Sequence, residues 1–150
     1  MVRGYARVLI ALGLMAACVG PAPAREAVFD SWLAALPERG EAFGRFERML
    51  AAEGVANVLP ARDLWLVDQI RPACAVEPYV APPEDEWRNI VPALRFIRDH
   101  VKPAIGQVRV VSGYRDAMFN GCIGGASRSA HRSYFALDLV PESEEVSRAD

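Results

Sequence analysis

At 150 residues and 52% hydrophobic content, the chain has room for one compact domain with its own core. A formal net charge of −2, from 17 basic and 19 acidic residues with no basic stripe, excludes the electrostatic footprint of a nucleic-acid binder. No stretch reaches the roughly 20 apolar residues that a membrane-spanning helix needs.

The chain opens on Arg3 and Arg7, continues through the uncharged apolar run Val8 to Gly20, and then offers Ala22-Pro23-Ala24 as an A-x-A cleavage site. This predicts a secretory signal peptide over residues 1–24 and a folded domain over residues 25–150. A lipoprotein leader is the rival reading, because Met15-Ala16-Ala17-Cys18 approximates the small-residue box before a lipidated cysteine. Cys18 would then carry a lipid anchor. Both readings place the chain in the periplasm or cell envelope. Cys74 and Cys122 are the remaining cysteines, and in an oxidising compartment an even pair points to a disulfide, with two unpaired buried thiols as the alternative. Closing a separation of 48 residues would stabilise the fold by about 4 kcal/mol in the chain-entropy picture. The absence of C-x-x-C spacing argues against a zinc knot or thioredoxin-like chemistry.

In chain order, Ala27 to Leu36 and Glu41 to Glu53 read as helices. In the second, Phe43, Phe46, Met49 and Leu50 form a core-facing stripe that ends at Gly54, a residue suited to a helix C-terminus. Leu59 to Ile70 fits either a short helix or a strand. Arg71 to Asp85, with four prolines and Cys74, reads as an irregular loop pinned by the disulfide. Trp87, Ile90, Val91, Leu94, Ile97 and Val101 recur at helical spacing, predicting a helix from near Asn89 that stops before Pro103. His100 in its last turn is a surface histidine rather than a ligand. Val108 to Val111 is β-branched and reads as a strand leading into a turn at Ser112-Gly113. Phe119 to Ser129 is glycine-rich and reads as a loop. Phe135 to Val140 alternates, with Phe135, Leu137 and Leu139 on one face and Ala136, Asp138 and Val140 on the other. Helices first and strands later predict an α+β fold, N-terminal helices packed on a small, mainly antiparallel sheet.

The chemistry concentrates between Arg115 and Asp138. A carboxylate in mid-strand at Asp138 needs a cation or several donors, because desolvating it unpaired costs several kcal/mol on the order of a lost ion pair. His131 stands seven residues earlier, across a stretch able to turn back, and His plus Asp is a natural pair of zinc ligands. An Asp138–Arg115 ion pair with His131 merely nearby satisfies the same spacing.

Ser112-Gly113-Tyr114-Arg115, Asn120, Gly124-Gly125-Ala126, Ser129-x-His131 and Ala136-x-Asp138 together resemble the zinc D-alanyl-D-alanine carboxypeptidases, the VanY-like peptidoglycan peptidases of the Hedgehog/DD-peptidase fold. The resemblance is strongest from about Val108 to Pro141. It implies that His131 and Asp138 bind Zn2+ and that Arg115 holds or polarises a substrate carbonyl or carboxylate. Its planar fork suits that task, and a charge aimed at a developing oxyanion is worth roughly 3 kcal/mol. It further implies that Ser129 supports the site by hydrogen bonding, while Tyr114 and Asn120 either shape the substrate pocket or are structural. The expected partner is a peptidoglycan stem peptide ending in D-Ala.

Two departures accompany the resemblance. The family pattern S-x-H-x-x-G-x-A-x-D has glycine where this chain has Tyr134, which a strand starting one residue earlier would accommodate. The family's second zinc histidine and the glutamate serving as general base lie some tens of residues beyond the aspartate. Here 12 residues follow Asp138, among them Glu142, Glu144 and Glu145 but no histidine. A catalytic zinc has three protein ligands and an open position for water. Moreover, Ser147-Arg148-Ala149-Asp150 reads as a helix N-cap and first turn without the helix. A C-terminally truncated peptidase, inactive as these 150 residues, is therefore expected. A secreted, non-catalytic peptidoglycan-binding module that has lost its metal site is the alternative.

Overall fold

The computed structural model describes residues 22–67, 72–74 and 77–142. The basic and apolar parts of the leader, Cys18, Glu144, Glu145 and Ser147 to Asp150 lie outside the described residues. Helices and one two-stranded antiparallel sheet give the α+β class expected from the sequence. Among the described residues, no helix is long and apolar enough to cross a membrane.

Helix α1 (Ala22–Ala34) and helix α2 (Pro37–Ala52) form an N-terminal hairpin. Pro37 opens α2 where a missing N–H costs nothing. The helix ends in a Schellman closure: Gly54 at φ +68° donates to the Ala51 carbonyl and Val55 to the Leu50 carbonyl, each at 3.0 Å. The α2 stripe faces inward, with Phe46 and Leu50 fully buried. Trp65, on a 3₁₀ turn over Ala61–Trp65, is the hub of the aromatic core. Its ring lies 5.1 Å from both Phe43 and Phe46, 6.2 Å from Trp32 and 6.1 Å from Trp87. Separations of this kind suit edge-to-face and tilted aromatic contacts.

Leu66 bridges Tyr79 in antiparallel sense, so the proline-rich loop returns alongside the turn that carries Trp65. Two side-chain links hold this loop. Arg39 stacks over Trp32 at 4.3 Å and reaches both carboxylate oxygens of Glu77, and the Cys74–Cys122 disulfide ties the loop to a segment 48 residues further along the chain.

The long helix differs from its expected bounds at both ends. It enters through a 3₁₀ turn over Glu84–Ile90, becomes α3 (Val91–Phe96), widens into a π-turn over Ile97–Val101 and closes as α4 (Lys102–Ile105). Pro103 does not stop it. Proline has no N–H to donate, and the π-turn absorbs the mismatch by letting the Lys102 N–H bond the Ile97 carbonyl. Gly106 at φ +83° ends the element instead.

Strand β1 (Val108–Ser112) pairs with strand β2 (Asp138–Pro141), and Val110, fully buried, joins the sheet to the aromatic core. The register runs Val108↔Pro141, Arg109↔Val140 and Val110↔Leu139, then slips so that Ser112 faces Asp138. The strand expected from Phe135 thus begins at Asp138. The segment Phe119 to Ser129, expected as loop, begins inside a short helix, α5 (Ala117–Cys122). Asp116 explains it: its carboxylate accepts the Phe119 N–H at 2.7 Å, and this cap outweighs the poor propensity of Asn120 and Gly121.

Candidate functional site

The site sits where β1 runs out. A bulge at Val111 re-aims the strand, so that Ser112 and the turn after it lie against the start of β2. Gly113 then passes so close to the Leu64–Leu66 backbone that its N–H donates to the Leu66 carbonyl at 2.8 Å. A Cβ at this position would stand 2.4 Å from the Leu64 oxygen, which explains why glycine occupies it.

Two reciprocal bonds fasten this turn to the histidine segment. The Arg115 N–H donates to the His131 carbonyl at 3.1 Å, and Nδ1 of His131 lies 2.8 Å from the Gly113 carbonyl. His131 occupies a 3₁₀ turn over Ala130–Ser133 that ends at Tyr134 in the left-handed conformation, φ 58° and ψ 30°. A carbonyl only accepts, so the hydrogen-bond network assigns the proton to Nδ1 and leaves Nε2 as the outward nitrogen. Nε2 stands 3.3 Å from Oδ1 of Asp138.

Asp138 holds the centre. One oxygen faces His131, and the other accepts from a terminal nitrogen of Arg115. Nε of Arg115 donates in turn to the hydroxyl of the fully buried Ser112 at 3.1 Å. The carboxylate is not buried as the alternation of β2 suggested: its side chain is 45% exposed, while Arg115 and His131 are 13% and 11% exposed. Access to the cluster is therefore over Asp138. Ionic pairing and metal approach compete for the same two oxygens.

The chemistry of the donors tests whether a zinc ion suits them. With Nδ1 protonated, a neutral His131 turns a lone pair toward the lone pairs of Asp138 across 3.3 Å. Such a pair calls for a cation between the two atoms, a proton or a metal. Ligands at about 2.05 Å in a tetrahedral zinc site stand roughly 3.3 Å apart, so these two atoms have the spacing of one edge. The Gly113 carbonyl fixes the ring as an outer partner of a zinc-bound histidine does. The two residues fit half of such a site. Among the described residues no third His, Cys, Asp or Glu completes a metal-binding group.

The remaining expected site residues fall around this centre. Tyr114 is half-buried, packs edge-on against Tyr134 with centroids 6.2 Å apart, and has its hydroxyl pushed above the ordinary value by burial, with Glu86 and Asp116 adding to the effect. Of the two roles open to Asn120, its contacts describe the structural one. The side chain is buried, and its amide donates to the carbonyls of Gly125 and Ala126, both at 3.1 Å, clamping the glycine turn that leads to His131. Ser129 is half-exposed and caps the 3₁₀ turn through its backbone alone, without a side-chain cap bond. Cys74 and Cys122 are bonded, with Cα atoms 5.7 Å apart, which ties the C-terminus of α5 to the proline-rich loop.

Ser112 and Gly113 join the site beyond the residues expected from the sequence. Their sequence signal is a serine that closes an apolar strand one residue before an obligatory glycine. Comparison with known protein families, with characterised proteins and with solved structures returns no match to this chain.

Proposed function

We propose that this chain belongs to the zinc peptidases of the cell envelope that act on D-Ala-containing peptidoglycan stem peptides, of the D-alanyl-D-alanine carboxypeptidase type. In this reading His131 and Asp138 hold Zn2+, and Arg115 receives a carboxylate or carbonyl of the peptide. The observation that carries it is the meeting of His131 Nε2 and Asp138 Oδ1 at 3.3 Å with the opposite ring nitrogen anchored on Gly113. The left-handed backbone at Tyr134 adds weight, because the family motif places glycine at that position. Bound zinc would supply Lewis-acid polarisation of a scissile amide. The chain's own residues orient: Gly113 fixes the imidazole, Ser112 steadies the guanidinium, and Arg115 presents a planar donor fork beside the metal position. With two ligands on hand, the described residues bind rather than turn over.

The test is equilibrium dialysis of zinc against the purified chain, followed by binding of a peptide ending in D-Ala-D-Ala. About one zinc per chain is expected, with affinity at least ten-fold weaker in His131→Ala and Asp138→Ala. Peptide binding should require zinc and fall in Arg115→Ala. Zinc affinity indifferent to both ligand substitutions overturns the reading.

A second reading, a non-catalytic peptidoglycan-binding module, is favoured by the Arg115–Asp138 pair, which already neutralises the carboxylate. It is the better account if the zinc-free protein binds the peptide as tightly as the zinc-loaded one.

A further inference from the structure

The carboxylate of Asp138 is shared between two neighbours. Its Oδ1 stands 3.3 Å from Nε2 of His131, and its Oδ2 accepts from a terminal nitrogen of Arg115. A cation seated between His131 and Asp138 draws on the same negative charge that the guanidinium already neutralises. Metal and arginine therefore compete for one carboxylate, and at contact distance such competition is strong.

Arg115 has little freedom to give way. Its Nε donates to the Ser112 hydroxyl at 3.1 Å, and its backbone N–H donates to the His131 carbonyl at 3.1 Å. Ser112 is fully buried, so one end of the guanidinium is moored in the protein interior. The charge stays beside the metal position whether or not the bond to Asp138 persists, and a guanidinium does not shed it by losing a proton. A divalent ion, this fixed cation, a neutral imidazole and one carboxylate leave an excess of positive charge. The Asp138 side chain is 45% exposed, so an anion reaches the cluster from solvent and relieves that excess.

We propose that Arg115 couples metal binding to anion binding. Paired with Asp138 alone, it holds zinc affinity down, and a carboxylate ligand bound at the guanidinium lifts that restraint. Zinc and the carboxylate then bind with positive cooperativity, each raising the affinity of the other by the same factor. The inference concerns the regulation of the site described above and rests on the placement of zinc at His131 and Asp138. It fixes an unusual sign: removing Arg115 tightens zinc. An arginine that served only to hold Asp138 in position gives the opposite sign, because its loss frees a ligand to wander.

The experiment measures zinc affinity by competition with a chromophoric chelator at fixed ionic strength, which holds screening constant. Wild type, Arg115→Gln and Arg115→Lys are each titrated alone, with N-acetyl-D-alanine and with its uncharged amide. In the wild type the acid should tighten zinc about ten-fold, within the usual range for coupled sites, and the amide should not. Arg115→Gln should bind zinc about five-fold or more tighter than the wild type without the acid, and the acid should then add nothing. Arg115→Lys keeps the charge, so it should bind zinc as weakly as the wild type and still respond to the acid. That variant and the wild-type comparison decide the matter even if the glutamine variant does not fold. Tightening by the acid that persists in Arg115→Gln overturns the proposal, because the carboxylate then binds the metal directly. So does an acid without effect on the wild type, weaker zinc in folded Arg115→Gln, or tight zinc in Arg115→Lys. His131→Ala separates the two claims. Zinc affinity that depends on His131 but ignores the acid and Arg115 removes the coupling and leaves the functional reading, whereas affinity that ignores His131 removes both.

Discussion

Gly113 and His131 are joined twice over: a ring nitrogen of His131 meets the Gly113 carbonyl at 2.8 Å, and two residues on the Arg115 N–H returns to the His131 carbonyl at 3.1 Å. The imidazole is thus positioned by backbone, and the backbone in question has no room for a side chain. In Gly113→Ala the new methyl would meet the Leu64 oxygen at 2.4 Å, and neither main chain has slack to give. The expected cost is about 2–3 kcal/mol, the range for overpacking a tight interior contact. Urea denaturation reads the stability loss. Zinc affinity should fall more than in an equally destabilised core variant, because the shift moves the histidine's own anchor.

Tyr134 opposes two effects whose magnitudes decide the outcome. Its backbone at φ 58° costs a non-glycine residue about 1 kcal/mol, yet its ring is wholly buried, and its hydroxyl donates to the Leu64 carbonyl at 3.1 Å. Truncating a buried aromatic costs about 3–5 kcal/mol, so burial wins and both Tyr134→Ala and Tyr134→Gly destabilise. Their order is the sharper expectation. The glycine variant should be the more stable by about 1 kcal/mol, the reverse of the usual ranking at helical positions. Thermal or urea unfolding of the pair decides it.

Asp63 gives a pH dependence with a definite sign. It is buried and exposes only 7% of its surface, and Oδ1 stands 3.9 Å from Nε of Arg62. Burial pushes its carboxyl above the ordinary 3.8, against the opposing pull of Arg62, Arg25 and Arg109. The folded chain therefore holds this proton more tightly than the unfolded chain does. The contribution is present at acid pH and is lost as pH rises from 3.8 through the elevated folded value. Relative to Asp63→Asn, the wild-type free energy of unfolding should decline over that interval and then run parallel. Urea titrations from about pH 3.5 to about pH 7 measure the difference. A difference that grows with pH would contradict the burial argument.

Elements that depend on periodicity are legible in the sequence, and those where one contact overrides a propensity are not. The α2 stripe with Gly54 at its end, the helical run through Leu94 and the strand through Val110 follow from apolar spacing alone, although the long helix enters at Glu84 and runs past Pro103. Three boundaries moved for identifiable reasons. Pro103 predicts a stop, but a wide turn accommodates its missing N–H. Asn120 and Gly121 predict a loop, but the Asp116 carboxylate caps a helix through them. Tyr134 fits an early strand start by sequence, but a buried ring holds it in a glycine-like conformation. At the site, the spacing of His131 and Asp138 was legible, whereas the parts played by Ser112 and Gly113 were not. Both depend on the bulge at Val111 and on the approach of the Leu64–Leu66 backbone, a contact from 47 to 49 positions away in the chain that no local pattern encodes.

The chain's three tryptophans lie in one run of edge-to-face and tilted contacts, Trp32 to Trp65 to Trp87, at centroid separations of 6.2 Å and 6.1 Å, and none exposes more than 7% of its surface. Indoles this close and this dry couple their ultraviolet transitions, so the folded protein carries a built-in optical signature. The run spans the first helix, the central turn and the entry to the long helix. Its near-ultraviolet dichroism consequently reports whether these three parts are seated on one another, and it would vanish in a collapsed state that kept its helices but lost that seating.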